Sequence, residues 1–139
     1  MSDLERLAAL IIDRGFRIHH DLGPGLLESV YETLLAAKLT EAGVPVERQK
    51  PIAIEYDGIR TREGFRADML IDRRLVVEVK SIERLAAVHS RQLLTHPRLL
   101  ALPLGLLMNF GGETFREGLR RVVNDRAKQA ESGGNQCVQ

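Results

Sequence analysis

Two alternating runs close together in the chain constrain its fold more than any other feature. In FRADMLID, Phe65 to Asp72, the apolar residues Phe65, Ala67, Met69 and Ile71 fall on every second position. In LVVEVK, Leu75 to Lys80, the residues Leu75, Val77 and Val79 do the same. Such alternation marks a strand with one buried face, and a slip of one residue would turn that face to water. Joined by so short a link, the runs read as a hairpin. Matching their apolar faces pairs Ile71 with Leu75 and Met69 with Val77. The same register brings Asp68 opposite Glu78 on the other face, with β-carbons roughly 4.5 to 5.5 Å apart. Lys80 shares that face, two residues past Glu78, and Leu70 and Val76 make it partly apolar.

Like charges placed directly opposite one another destabilise a sheet unless something positive lies beside them. Two carboxylates at this spacing suit a hard divalent cation, and Mg²⁺ characteristically takes one or two carboxylates together with waters and phosphate oxygens. A lysine beside such an ion can orient or deprotonate a water, or steady a phosphate. Asp68, Glu78 and Lys80 therefore read as a hydrolytic phosphodiester site. VVEVK is equally the pattern of a half-exposed strand whose Glu78 and Lys80 form a weak surface pair. The hairpin alone leaves both readings open.

The surrounding chain supplies the layers. Leu4, Leu7, Ala8, Ile11 and Ile12 recur at helical spacing, so a helix is expected from Leu4 to about Ile18, with Gly15 weakening its end. After the break DLGPG a second helix is expected from about Gly25 to Ala42, stopped by Gly43 with Pro45 beyond. From Val46 the texture alternates: Ile52, Ile54 and Tyr56 share a face, Asp57-Gly58 turns the chain, and Ile59 begins a returning strand. Ala86 to about Leu100 reads as a helix ended or kinked by Pro97 near His96, and Leu104 to Phe110 as a strand buried on both faces. Thr114 to Val123 is ambiguous between strand and helix. The order implies one α/β domain, residues 1–124, with a mixed central sheet flanked by helices. Residues 125–139 are too poor in apolar side chains to pack and are expected to be disordered.

Composition bounds the partners. Twenty basic and nineteen acidic residues among 139 give a net charge of +1, so any basic patch must come from local arrangement. Arg60, Arg62, Arg66, Arg73, Arg74, Arg84 and Arg91 lie near the hairpin in sequence and could meet phosphates, or simply be a solvated basic surface. Few aromatics are available for a base-stacking platform. The one cysteine, Cys137, excludes an intramolecular disulfide and fits a reducing, cytoplasmic compartment. The N-terminal segment lacks the pattern of a signal peptide or a membrane span.

Glu28 lies within GPGLLESVYE, among Leu26, Leu27, Val30 and Tyr31. In the first turn of a helix a carboxylate interacts favourably with the helix dipole and free N–H groups, which requires no catalysis. The spacing Gly25-x-x-Glu28-x-x-Tyr31, followed by Asp68, Glu78-Val79-Lys80, Gln92 and GLLMNFG (Gly105 to Gly111), resembles the GxxExxY protein family of the PD-(D/E)xK nuclease superfamily, over residues of about 5 to 124. The resemblance implies a mixed sheet flanked by helices with a Mg²⁺- or Mn²⁺-dependent nuclease site on the central hairpin, acting on DNA or RNA. It makes Asp68 and Glu78 metal ligands, with the Val79 carbonyl a third, and makes Lys80 the residue that positions or activates water. Glu28 becomes an acidic residue brought to the edge of the site, and Gln92 a glutamine bordering it. Tyr31 reads as packing and Gly25 as backbone geometry. His19 matches a histidine common in the family, although a histidine at a helix end is usually structural. His96 and Pro97 depart from the tyrosine and leucine expected there. One site per chain implies a homodimer or two encounters to cut both strands. The alternative function is a nucleic-acid-binding or scaffold protein that keeps the nuclease fold without turnover.

Overall fold

The structure, a computed structural model, describes residues 2–89 and 102–123. Helix α1 (Asp3–Leu22) opens on Ser2, whose Oγ accepts the Glu5 N–H at 3.1 Å, and closes at Gly23, φ 70°. It runs past the expected end because Gly15 does not weaken it there. That glycine instead makes room for a ring: a β-carbon at Gly15 would stand 2.8 Å from Phe115 Cζ. Helix α2 (Glu28–Glu41) begins later than expected, since Gly25 holds φ 108°, outside any right-handed helix.

Among the described residues seven strands follow: β1 (Val46–Ile52), β2 (Glu55–Tyr56), β3 (Ile59–Arg60), β4 (Phe65–Ile71), β5 (Leu75–Lys80), β6 (Leu104–Asn109) and β7 (Leu119–Val123). Five of them form one sheet in the order β1-β4-β5-β6-β7, with β5 and β6 parallel and the other pairs antiparallel. The fold is α/β, a mixed sheet flanked by helices. The expected single alternating strand through Ile52, Ile54 and Tyr56 is corrected. β1 ends at Ile52, and Tyr56 stands on a separate small hairpin of β2 and β3, 73% exposed. Its turn is at Asp57-Gly58, where both residues hold positive φ, the twist that tight hairpins favour. Thr114 to Val123 resolves into a 3₁₀ turn (Arg116–Gly118) and β7, whose pairing with β6 outweighs the helical reading. The expected helix after Ala86, including Gln92, His96 and Pro97, lies largely outside the described residues, as do residues 125–139.

The main core lies between the two helices and one face of the sheet. Ile11 of α1 and Tyr31, Leu35 and Leu39 of α2 are fully buried in one cluster with Met69, Ile71, Leu75, Val77, Leu104 and Leu106. Each aliphatic side chain so buried contributes about 1.5–3 kcal/mol. Every residue of β6 is buried, as its unbroken apolar run implies. On the opposite face Val76 and Leu107 are also buried, outside that cluster. The carboxylates of the hairpin therefore sit on a partly apolar face.

Candidate metal centre

The hairpin has the expected register: Ile71 pairs with Leu75, Leu70 with Val76 and Met69 with Val77. Pairing stops there, one step short of Asp68 and Glu78. The Val79 N–H donates instead to Asp68 Oδ2, at 2.8 Å, so a side chain takes over a donor of β5. Pairing lapses on the other side of Asp68 too. β1 and β4 keep one register from Val46 to Ile52, but the pair Gln49 and Asp68 is missing from it, and Gln49 holds φ 48°. A left-handed non-glycine residue within a strand is strained, by about 1–3 kcal/mol, and such outliers gather at functional sites. Asp68 is thus the one position in β4 flanked by interruptions of both of its ladders.

Glu78 stands beside it. Its Oε1 is buried and has no hydrogen-bond partner among the described residues. Burial, foremost, then the charge of Asp68 and a hydrogen bond between the two carboxyl groups, push the Glu78 carboxyl up to about 8; the Asp68 N–H and the Lys80 ammonium act in the opposite sense. A carboxyl group pushed up by burial beside a second carboxyl group, and left with an orphaned oxygen, is what a cation would relieve. Among the described residues no group of three or more His, Cys, Asp or Glu side chains converges to hold a metal ion. The donor set at the hairpin is two carboxylates with the Val79 carbonyl one residue along. It fits an oxygen-preferring ion that keeps part of its water shell, and it does not fit a thiolate or imidazole metal.

The segment that leaves β5 is held from three directions. Ser81 Oγ donates to the Leu26 carbonyl at 2.6 Å, and the Ser81 N–H donates to Glu28 Oε1 at 3.3 Å. Asn109, buried at the end of β6, accepts the N–H groups of Ile82 (2.9 Å) and Gly111 (3.1 Å) on Oδ1 and donates to the Ile82 carbonyl (2.8 Å). Gly111 must be glycine, because a β-carbon there would lie 2.3 Å from the Ile82 carbonyl oxygen. α2 has no side-chain cap at its start. The Glu28 carboxylate spends its hydrogen bond on the strand end next to Lys80, which the helix-cap reading did not anticipate. It reaches the end of β5 rather than Asp68 or Glu78 themselves.

Tyr31 explains the spacing of GPGLLESVY. Its Oη donates to the Gly23 carbonyl at 2.6 Å and accepts the Leu26 N–H at 3.2 Å, while its ring stacks on Phe110 with centroids 4.6 Å apart. The loop that carries Leu26 and Glu28 to Ser81 is therefore tied to the core. His19 is structural in the same way: nearly buried, with Nε2 2.9 Å from the Gly112 carbonyl. Arg74 is engaged by Asp72 (2.7 Å) and Asp3 (2.9 Å), and Arg66 by Glu63 (3.4 Å), which ties down two of the basic residues near the hairpin. Gln92 and Arg91 lie outside the described residues.

Sequence reasoning missed Glu32, Arg48, Gln49, Ser81 and the task of Asn109. Glu32 is buried, with Arg48 Nη2 and Nε donating to its Oε2 at 2.7 and 3.1 Å and Gln49 Nε2 to its Oε1 at 2.7 Å. The signal for it was present. Glu32 opens the buried stripe Leu35, Ala36 and Leu39, where a charge demands a partner. Gln49 offers no such signal, since nothing in its identity announces a left-handed backbone.

No curated protein and no solved structure matches the chain. A family model does, over residues 5–122, which takes in all but the ends of the two-helix, five-stranded unit and includes the interrupted hairpin. On that match, and with a mixed sheet that sets paired carboxyl groups on its central hairpin, the chain belongs to the PD-(D/E)XK nuclease superfamily.

Proposed function

We propose that the protein is a divalent-metal-dependent phosphodiesterase of DNA or RNA, of the GxxExxY branch of its superfamily, working in the cytoplasm. Membership points to metal-dependent nuclease chemistry, and nucleases of this superfamily generally use divalent metals. The observation that carries the reading for this chain is the pair Asp68 and Glu78, side by side with a buried unpartnered oxygen and Lys80 two residues on. Asp68, Glu78 and the Val79 carbonyl would hold Mg²⁺ or Mn²⁺. Bound there, the ion would supply Lewis-acid polarisation of a phosphate oxygen and of a nearby water. Lys80 then orients the attacking water and balances the charge that develops on the phosphate. Glu28, through the Ser81 N–H, holds the exit of β5 and so the position of Lys80. One such site cuts one strand, so cleavage of a duplex takes a homodimer or two encounters.

The test is cleavage of single- and double-stranded DNA and RNA with Mg²⁺ or Mn²⁺, against EDTA and against Lys80→Met. Metal-dependent hydrolysis lost in the variant is the expected result. Metal and nucleic-acid binding with no cleavage of any substrate would favour a scaffold that keeps the fold without turnover.

A further inference from the structure

Gln49 departs from its strand without disturbing the register around it. The residues on either side of it stay in register with β4, yet Gln49 alone holds φ 48° and leaves the ladder. Its side-chain amide has two N–H bonds and lies between two different carboxylates, close to one and farther from the other. Nε2 donates to Glu32 Oε1 at 2.7 Å and lies 3.5 Å from Asp68 Oδ1. Glu32 is in turn buried and gripped by Arg48 through Nε and Nη2. The other oxygen of Asp68 accepts the Val79 N–H at 2.8 Å. Each carboxylate oxygen of Asp68 therefore meets one N–H donor, from opposite neighbouring strands. A carboxylate bonded at one oxygen and faced by a donor at the other is restricted in orientation, and partners that orient a ligand in this way commonly set metal affinity.

We propose that Gln49 is a positioning residue: with Glu32 and Arg48 as its anchor, it holds the Asp68 carboxylate in the orientation that receives a divalent cation. The inference rests on the metal-site reading above. Glutamine suits the task because it is a neutral donor to two acids at once. A cationic side chain would compete with the metal, and a carboxylate would repel both neighbours.

Two truncations separate positioning from stability. Gln49→Gly and Gln49→Ala both remove the amide, but glycine accepts positive φ and alanine does not. The experiment is a calorimetric Mn²⁺ titration of the full chain, wild type and Asp68→Asn included, with the melting temperature of each metal-free protein. Both Gln49 variants are expected to bind Mn²⁺ about 10-fold or more weakly than wild type, with Gln49→Gly melting higher than Gln49→Ala. If both bind like wild type, or if affinity follows melting temperature, the positioning role is overturned while the metal site stands. If wild type takes up no Mn²⁺, or Asp68→Asn binds like wild type, the metal-site reading falls and the inference with it.

Discussion

Replacing Glu78 by glutamine tests the electrostatics of the hairpin without any metal. The side chain keeps its size and a donor toward Asp68 but cannot ionise. In the fold the Glu78 carboxyl is raised from 4.5 to about 8, by burial first and by Asp68 second. Between those values the folded protein keeps a proton that the unfolded chain has lost, so the unfolded state binds fewer protons and stability falls as pH rises. At about 1.4 kcal/mol per tenfold, the full displacement corresponds to about 5 kcal/mol, with a steepest slope near 1.4 kcal/mol per pH unit. Urea denaturation of the metal-free protein, wild type and Glu78→Gln, from about pH 5 to about pH 8 reads this directly. The stability of the variant relative to wild type should grow by about 3 kcal/mol across that range and level off above it. A difference that stays flat would mean that Glu78 ionises normally and that its burial does not hold the proton.

Three further outcomes follow from the same geometry. Lys80→Met should leave divalent-ion binding in place while lowering cleavage about 100-fold or more, read as initial rates under saturating metal. Tyr31→Phe removes the hydroxyl that joins Gly23 to Leu26, which should lower stability by about 1–2 kcal/mol in denaturant melts. Gly111→Ala drives a methyl against the Ile82 carbonyl. It should destabilise by about 1–3 kcal/mol and, by displacing the exit of β5, weaken Mn²⁺ binding as well, whereas an unchanged melt would show that the close approach is relieved elsewhere.

The central hairpin was legible because apolar alternation on two adjacent runs admits one register, and Met69 with Val77 is that register. β6 was legible from its unbroken apolar run. Helix boundaries were misplaced where a glycine served geometry of a different kind: Gly15 lies under Phe115, and Gly25 precedes α2 with φ 108°. The division of Val46 to Ile71 into β1, a small hairpin and β4 was hidden, because Ile52, Ile54 and Tyr56 alternate correctly while only part of the segment finds a partner strand. At the site, the approach of Asp68 to Glu78 and Lys80 came from local arithmetic, although the ladder itself stops one step short of them. What holds them came from long-range contact: Gln49 and Glu32 are 17 residues apart, and Ser81 meets Glu28 across 53. Such contacts leave no periodic trace. Only the charge of Glu32 in an apolar stripe hinted that a partner was needed.

Uptake of a divalent cation by the hairpin carboxylates decides whether the protein has a metal centre. Isothermal titration of the full chain with Mn²⁺ near neutral pH, wild type against Asp68→Asn, measures this most directly. The wild-type protein should bind one ion per chain and release protons as it does so, because Glu78 must ionise to become a ligand. The Asp68→Asn protein, equally folded by its melt, should show no saturable binding. Equal uptake by the two proteins, or none by wild type, would contradict the metal centre proposed for Asp68 and Glu78.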